Sequence, residues 1–270
     1  MQKTAVITGS SAGIGFQAAR SLAELGFEII IAARSIEKGK AAAATISSEF
    51  PKSKIRVLPL ELSDFESIRN FASNLACQWD VLLNNAGAKI EKPAKTTAQN
   101  FEWHVGVNHL GHFALTADIW PLAKTNATVV TVSSIVAHKG NLDWNQEKFS
   151  DERSAYASSK LMNYAFAEGL AKRLEGTSRK SIAAHPGFTR ASAYGNRLIR
   201  VGEYIAAQSA EAGSRPILQA IDSPNGSYLA PRVLELWGKP SEARKPQISQ
   251  EQADEFWDWS KKSTGRVFNP

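Results

Sequence analysis

Tyr156 and Lys160 stand four positions apart in SAYASSKLMNYAF, residues 154–166. On a helix that spacing puts a phenol and an ammonium on one face. A free phenol holds its proton to about pH 10. A neighbouring cation favours the phenolate and lowers that value toward the range where proton transfer is useful. Two fixed positions recur by chance, so the pair gains meaning only from its surroundings. The stretch TGSSAGIG, residues 8–15, is a second candidate. Gly9 permits a tight turn, Gly13 lets backbone approach a phosphate, and Gly15 lets a helix pack close. A helix starting there offers free N–H groups and partial positive charge to a pyrophosphate. The spacing is G-x-x-x-G-x-G, not the commoner G-x-G-x-x-G. AARS, residues 32–35, is a third. NAD binders often carry an acid near such a position. Here Ala33 stands in its place and Arg34 follows, able to grip a 2′-phosphate with two parallel hydrogen bonds. Ser10, Ser11 and Lys38 could assist. The pattern favours NADP (NADPH) over NAD; the competing reading is an arginine solvated at a strand end.

These residues must be positioned by something, and the chain alternates in a way that supplies it. Strand-like runs occupy residues 4–8, 27–33, within 54–62, 79–87, 127–134, 181–187 and 225–231. Helical stretches lie between them at 13–26, 35–50, 64–77, 97–122 and 154–174, with another at 254–265. Alternating strand and helix predicts parallel βαβ units with right-handed crossovers. Continuous apolar runs such as VLL and TVVTV suit strands covered on both faces. The expected fold is α/β: a Rossmann-type, doubly wound parallel sheet of about seven strands with helices on both faces. Residues 1–270 form one domain on this reading. In such sheets ligands bind beyond the carboxyl ends of the strands, where the glycine turn and Arg34 fall.

Composition narrows the classes. Of the 270 residues, 43% are hydrophobic and 21% charged, an ordinary globular balance. The net charge of +6 is scattered rather than massed with aromatics, which argues against nucleic-acid binding. No apolar run reaches the roughly 18–20 residues that span a bilayer, and MQKTAVITGS enters a strand almost at once, so no membrane anchor is expected. A single cysteine, Cys77, excludes an internal disulfide. A cytoplasmic setting is the expectation, and no metal spacing is visible.

TGSSAGIG, NNAG (84–87), YASSK (156–160) and HPG (185–187) occur in that order at strand ends. With them the chain resembles the short-chain dehydrogenase/reductase family in its compact single-domain form, from the first strand to about residue 230. VNHLGHF (107–113) and VSSIVAH (132–138) are similar to the subgroup of retinol dehydrogenases and protochlorophyllide reductases. The resemblance implies that Tyr156 is the catalytic acid/base and that Lys160 also holds the nicotinamide ribose. It implies that Ser134 steadies the substrate oxygen, rather than Ser133, whose side chain on a strand points the other way. Asn108 would position a water linking Lys160 to solvent, or else merely satisfy backbone at a helix irregularity. For the cofactor it implies Gly9, Ser10, Ser11, Gly13, Ile14 and Gly15 at the pyrophosphate, with Leu62, Ser63 and Asp64 toward the adenine. Asn85, Ala86 and Gly87 would lie along the nucleotide, and Pro186 and Gly187 beneath the nicotinamide. Asp64 has a second reading, as a helix N-terminal acid. One departure stands out: Ala191 replaces the family threonine that meets the carboxamide, leaving Thr189 or Ser192 to substitute.

The activity so implied is NADP(H)-dependent interconversion of a carbonyl and an alcohol on a small, lipophilic substrate, with double-bond reduction or dinucleotide sensing without turnover as alternatives. His138 reads as a loop residue or pocket wall, His185 as a neighbour of the site, and His109 and His112 as packing or surface groups. Trp144 and Phe149 are candidate walls of an apolar pocket. Residues 188–224 form a variable substrate region in which Tyr194, Leu198 and Ile199 could cover a ligand. Small residues after Tyr156 (Ala157, Ser158, Ala165, Ala167) would let helices pair between subunits, giving a homodimer or homotetramer, and Trp257 or Trp259 could serve a subunit contact.

Overall fold

The computed structural model of the protein describes residues 2–88, 95–142, 144, 149, 151–190 and 207–270. Eight strands form one sheet in the order β3-β2-β1-β4-β5-β6-β7-β8. They are β1 (Thr4–Thr8), β2 (Glu28–Ala33), β3 (Ile55–Pro59), β4 (Trp79–Asn84), β5 (Ala123–Val132), β6 (Lys180–Ala184), β7 (Tyr228–Val233) and β8 (Trp237–Glu242). The first seven pair in parallel and β8 runs antiparallel to β7. The helices are α1 (Gly13–Glu24), α2 (Ile36–Glu49), α3 (Phe65–Leu75), α4 (Gly111–Ile119), α5 (Glu152–Arg173), α6 (Ala210–Ala220) and α7 (Gln250–Thr264).

Strand residues alternate between two apolar layers, as the pleat requires. Val6, Ile30, Leu82 and Val129 face the layer that includes Phe71 of α3, Phe113 of α4, Phe166 of α5 and Phe256 of α7. Ile7, Ile29, Val81 and Val130 face the opposite layer, with Leu22 of α1, Ile46 of α2 and Ile217 of α6. Side-chain caps fix where helices begin: Ser35 accepts from Lys38 N at 3.3 Å and Asp151 from Ser154 N at 2.7 Å.

The expectation of seven strands falls one short. In β8, WGKPSE, a proline cannot donate to a ladder, and such a segment is tolerated at the sheet edge that it occupies. The predicted helix over 97–122 is also broken up. Thr96 and Glu102 form an isolated antiparallel bridge, and Asn100 has a φ of 62°. A π-helical turn, Val105–Leu110, then leads into α4 and a short 3-10 turn, Trp120–Leu122.

The C-terminal helix α7 starts earlier than its apolar pattern suggests, because Ser249 and Gln252 form a capping box. Trp257 stacks on Phe166 and Phe268 at 5.8 and 5.4 Å, and Trp259 stacks on His109 and Trp144, each at 6.1 Å. Both tryptophans therefore serve packing within the chain. Ala157, Ser158, Ala165 and Ala167 are likewise buried within it, so the proposed pairing of helices through them is corrected. Trp144 and Phe149 pack against the core rather than on a pocket wall. Ala191, Ser192, Tyr194, Leu198 and Ile199 lie outside the described residues. Among those described, no helix is long and apolar enough to cross a membrane.

Candidate active site

The strand order reverses at β1: β2 lies on one side and β4 on the other. A crevice opens at the carboxyl end of a sheet where this happens. Here it is a cleft of about 1420 Å³, walled by Gly9, Ser11, Gly13, Ile14, Gly15, Arg34, Leu62, Asn85, Ala86, Gly87, Ser134, Tyr156, Lys160, Pro186 and Gly187. Residues dispersed over nearly the whole sequence thus converge on one cavity.

At its first end the glycine turn is tightly built. A Cβ on Gly15 would collide with Asn85 Nδ2 and stand 2.6 Å from Gly9 O. Gly9 has a φ of +66° and faces Ala86 Cα so closely that its own Cβ would lie 2.9 Å away. The turn is held from the β4 side: Asn85 Nδ2 donates to Thr8 O at 2.8 Å, and the N–H groups of Asn85 and Ala86 both donate to Thr8 Oγ1 at 2.9 Å. Arg34 is exposed, with Nε 3.9 Å from Glu61 Oε2. The glycines at positions 9, 13 and 15 of the turn and the exposed, loosely paired guanidinium at the end of β2 fit a dinucleotide carrying an additional phosphate.

At the other end lie Tyr156 and Lys160. Lys160 is buried, its Nζ donates to Val132 O at 3.2 Å, and it sits 5.8 Å from the centroid of the Tyr156 ring. Burial pulls the ammonium down to about 8. His104 meets the same ring edge-on at 5.8 Å, with its Nδ1 2.8 Å from Glu102 Oε1. Ser133 is committed elsewhere, donating to Lys160 O at 2.7 Å. Ser134 caps the turn that follows β5, accepting from Val136 N at a long 3.5 Å. Both serines border the cleft, but they differ in their partners.

Several expected residues sit differently. Ser10 is buried and donates to Ile7 O at 2.9 Å, off the cleft wall. Ser63 and Asp64 also stand away from it; Asp64 accepts from Glu66 N at 2.9 Å as the cap of α3. Thr189 is buried, bridged through its backbone to Gln208. Asn108 lies in the π-helical turn with its amide bonded at both ends: Oδ1 accepts from Ala88 N at 2.6 Å and Nδ2 donates to Ser159 Oγ at 2.9 Å.

Thr8 and His112 were missed as site residues. His112 Nδ1 lies 2.8 Å from Asn108 O and its Nε2 2.9 Å from Thr8 Oγ1. A carbonyl only accepts, so Nδ1 carries the proton and Nε2 receives the Thr8 hydroxyl. Burial, the larger cause, and the Lys160 charge lower this imidazole to about 4, so it is neutral. It ties the π-helical turn to the end of β1. The signal was present as His112 following Asn108 by four, one helical turn.

A glycine turn at the switch point of a parallel sheet thus shares one cleft with a buried lysine and a tyrosine. The chain belongs to the short-chain dehydrogenase/reductase family: the family model for short chain dehydrogenases matches residues 3–198. Human retinol dehydrogenase 12 is 43% identical over 196 residues, which cover 70% of this chain and 62% of that protein. The chain thus spans less than two thirds of that relative's length. A crystal structure of an uncharacterised protein from Mycobacterium paratuberculosis superposes with a TM-score of 0.80 at 34% identity, covering 99% of this chain and 95% of that one. A short chain dehydrogenase from Escherichia coli, solved with NADPH, shares the fold at a TM-score of 0.63 and 23% identity, covering 84% of this chain and 95% of that one.

Proposed function

We propose that this protein is an NADP(H)-dependent oxidoreductase that interconverts a carbonyl and an alcohol on a small, lipophilic substrate. The observation that carries the reading is the buried Lys160 ammonium, 5.8 Å from the Tyr156 ring on the wall of a cleft that begins at the glycine turn. When bound, the nicotinamide supplies or accepts the hydride. Tyr156 gives the substrate oxygen its proton in reduction and takes it back in oxidation. Lys160 favours the phenolate and so eases that transfer. Ser134 donates a hydrogen bond where negative charge develops on the oxygen. Asn108, its amide already committed, keeps Ala88 and the neighbouring Gly87 in place beside Lys160; the proton relay proposed for it would run past its position rather than through its side chain. Arg34 and Lys38 meet the 2′-phosphate. The lipophilic substrate class draws support from the retinol dehydrogenase relatives and from Trp103, Ile135, Val136, Phe188 and Leu236 on the cleft wall.

The test is a panel of aldehydes, ketones and conjugated enones with NADPH, followed at the nicotinamide absorbance. Carbonyl reduction that falls at least about a thousandfold in Tyr156→Phe, a large part of the 10²–10⁴ expected of a proton-transfer group, is the expected result. Turnover confined to the enones would move the reading to double-bond reduction. Firm NADPH binding with no turnover anywhere would point to a sensor.

A further inference from the structure

The turn that joins β7 to β8 is costly in a way that nothing within the hairpin explains. Its two central residues, Leu234 and Glu235, have φ values of 51° and 56°, with Leu236 N donating to Val233 O at 2.9 Å. Glycine and asparagine suit such positions; a leucine and a glutamate are held there against their preference. Strain of this kind persists where surrounding contacts over-determine it, and Glu235 has such contacts. Oε1 accepts from Arg244 N at 3.0 Å, and Oε2 lies 3.0 Å from Nε2 of the fully buried His185. His138 Nε2 stands 3.9 Å from the same oxygen.

His185 passes this contact on to the cleft. Its Nδ1 accepts from Gly187 N at 3.2 Å, so the proton is on Nε2 and points at Glu235. Gly187 has a φ of +70°, and a Cβ there would lie 2.5 Å from Leu236 O and 2.7 Å from Pro231 Cγ. Phe188 N donates to Leu236 O at 3.2 Å, a second tie between loop and turn. Pro186, Gly187, Phe188 and Leu236 all line the cleft.

We infer that Glu235 and His185 are positioning residues: the carboxylate orients the imidazole, the imidazole holds the Gly187 N–H, and the pair clamps the loop that floors the cleft to the β7–β8 turn. The identity of the molecule above that floor rests on the function proposed above; the clamp itself does not.

The test compares Glu235→Ala with Glu235→Gln in the full chain. The glutamine keeps one acceptor oxygen, which can face the imidazole while its NH2 loses the Arg244 N–H bond; the alanine keeps none. Removing the acceptor is expected to speed hydrogen exchange of the Gly187 amide at least about tenfold and to raise KM for NADPH by about tenfold, a loss of ~1.4 kcal/mol. The kcat should stay within about threefold, because the reacting groups are elsewhere. Glu235→Gln, which can keep the imidazole's acceptor but not the Arg244 bond, should fall between the parent and Glu235→Ala in both measures. Unchanged Gly187 exchange in Glu235→Ala, or an equal defect in both variants, overturns the clamp. If the parent protein binds no NADPH, the cofactor reading fails, and amide exchange alone decides the inference.

Discussion

Lys160 is pulled two ways. Burial favours its neutral form and lowers it to about 8 from the usual 10.5, whereas the proposed chemistry uses its charge. As pH rises through about 8 the ammonium is lost, and with it the field that favours phenolate. The free enzyme's kcat/KM should therefore fall on the alkaline side of about 8, and a pH profile checks this. In Lys160→Arg, where the guanidinium stays charged, that limb should flatten even if the maximum drops. Arg34 supports a separate expectation. Its side chain is 74% exposed and only loosely paired with Glu61, so its replacement should leave the fold intact. Arg34→Ala should weaken NADPH at least about tenfold, within the range of charge-assisted hydrogen bonds, with NADH little affected; titration of both cofactors decides, and equal losses would refute the phosphate contact. At this scale most of the residues that wall the cleft were legible, because glycines after a strand, a phenol four residues before a lysine and an arginine at a strand end stand out by type and spacing. Legibility failed where a hydroxyl or amide had two possible partners. Ser10 turned inward to Ile7, Asp64 went to its helix, and Thr8 and His112 gained roles through contacts 104 residues apart.

Among the elements, the glycine turn has the least tolerance. Gly15 abuts Asn85 Nδ2, which is itself fixed to Thr8 O at 2.8 Å, and Gly9 O on its other side is backbone. Neither neighbour can give way cheaply. Gly15→Ala should cost about 1–3 kcal/mol of stability, typical of overpacking, and should also weaken NADPH binding; chemical denaturation and a cofactor titration read the two effects. Strands such as TAVIT and EIIIAA were legible because buried parallel strands leave continuous apolar runs. β8 was not, since an edge strand can be built from glycine, lysine and proline without a pattern. The π-helical turn was hidden for another reason: VNHLGHF has helical composition, and the contacts made there, such as Asn108 with Ala88 N and Ser159, exist only in the folded chain.

At the scale of the whole molecule, the two faces of the sheet are finished in different ways. One is closed by α1, α2 and α6. The other is completed by α7, whose Trp257 is buried between Phe166 and Phe268. Trp257→Ala should destabilise the protein by about 3–5 kcal/mol, as large core truncations do. The half-buried Trp259→Ala should cost clearly less, and denaturant midpoints distinguish them. The sequence marked α7 as amphipathic but did not reveal its docking site, because the surface it covers, on α4 and α5, is assembled only in the folded chain.

That arrangement has a bearing on how the molecule comes into being. Translation delivers α5, with Tyr156 and Lys160 on it, well before the 15 residues of α7. At about 5–20 residues per second, the nascent chain spends seconds with Phe113 and Phe166 uncovered. During that interval the greasy flank of the half-made protein is open to chaperones and to its own neighbours on the polysome.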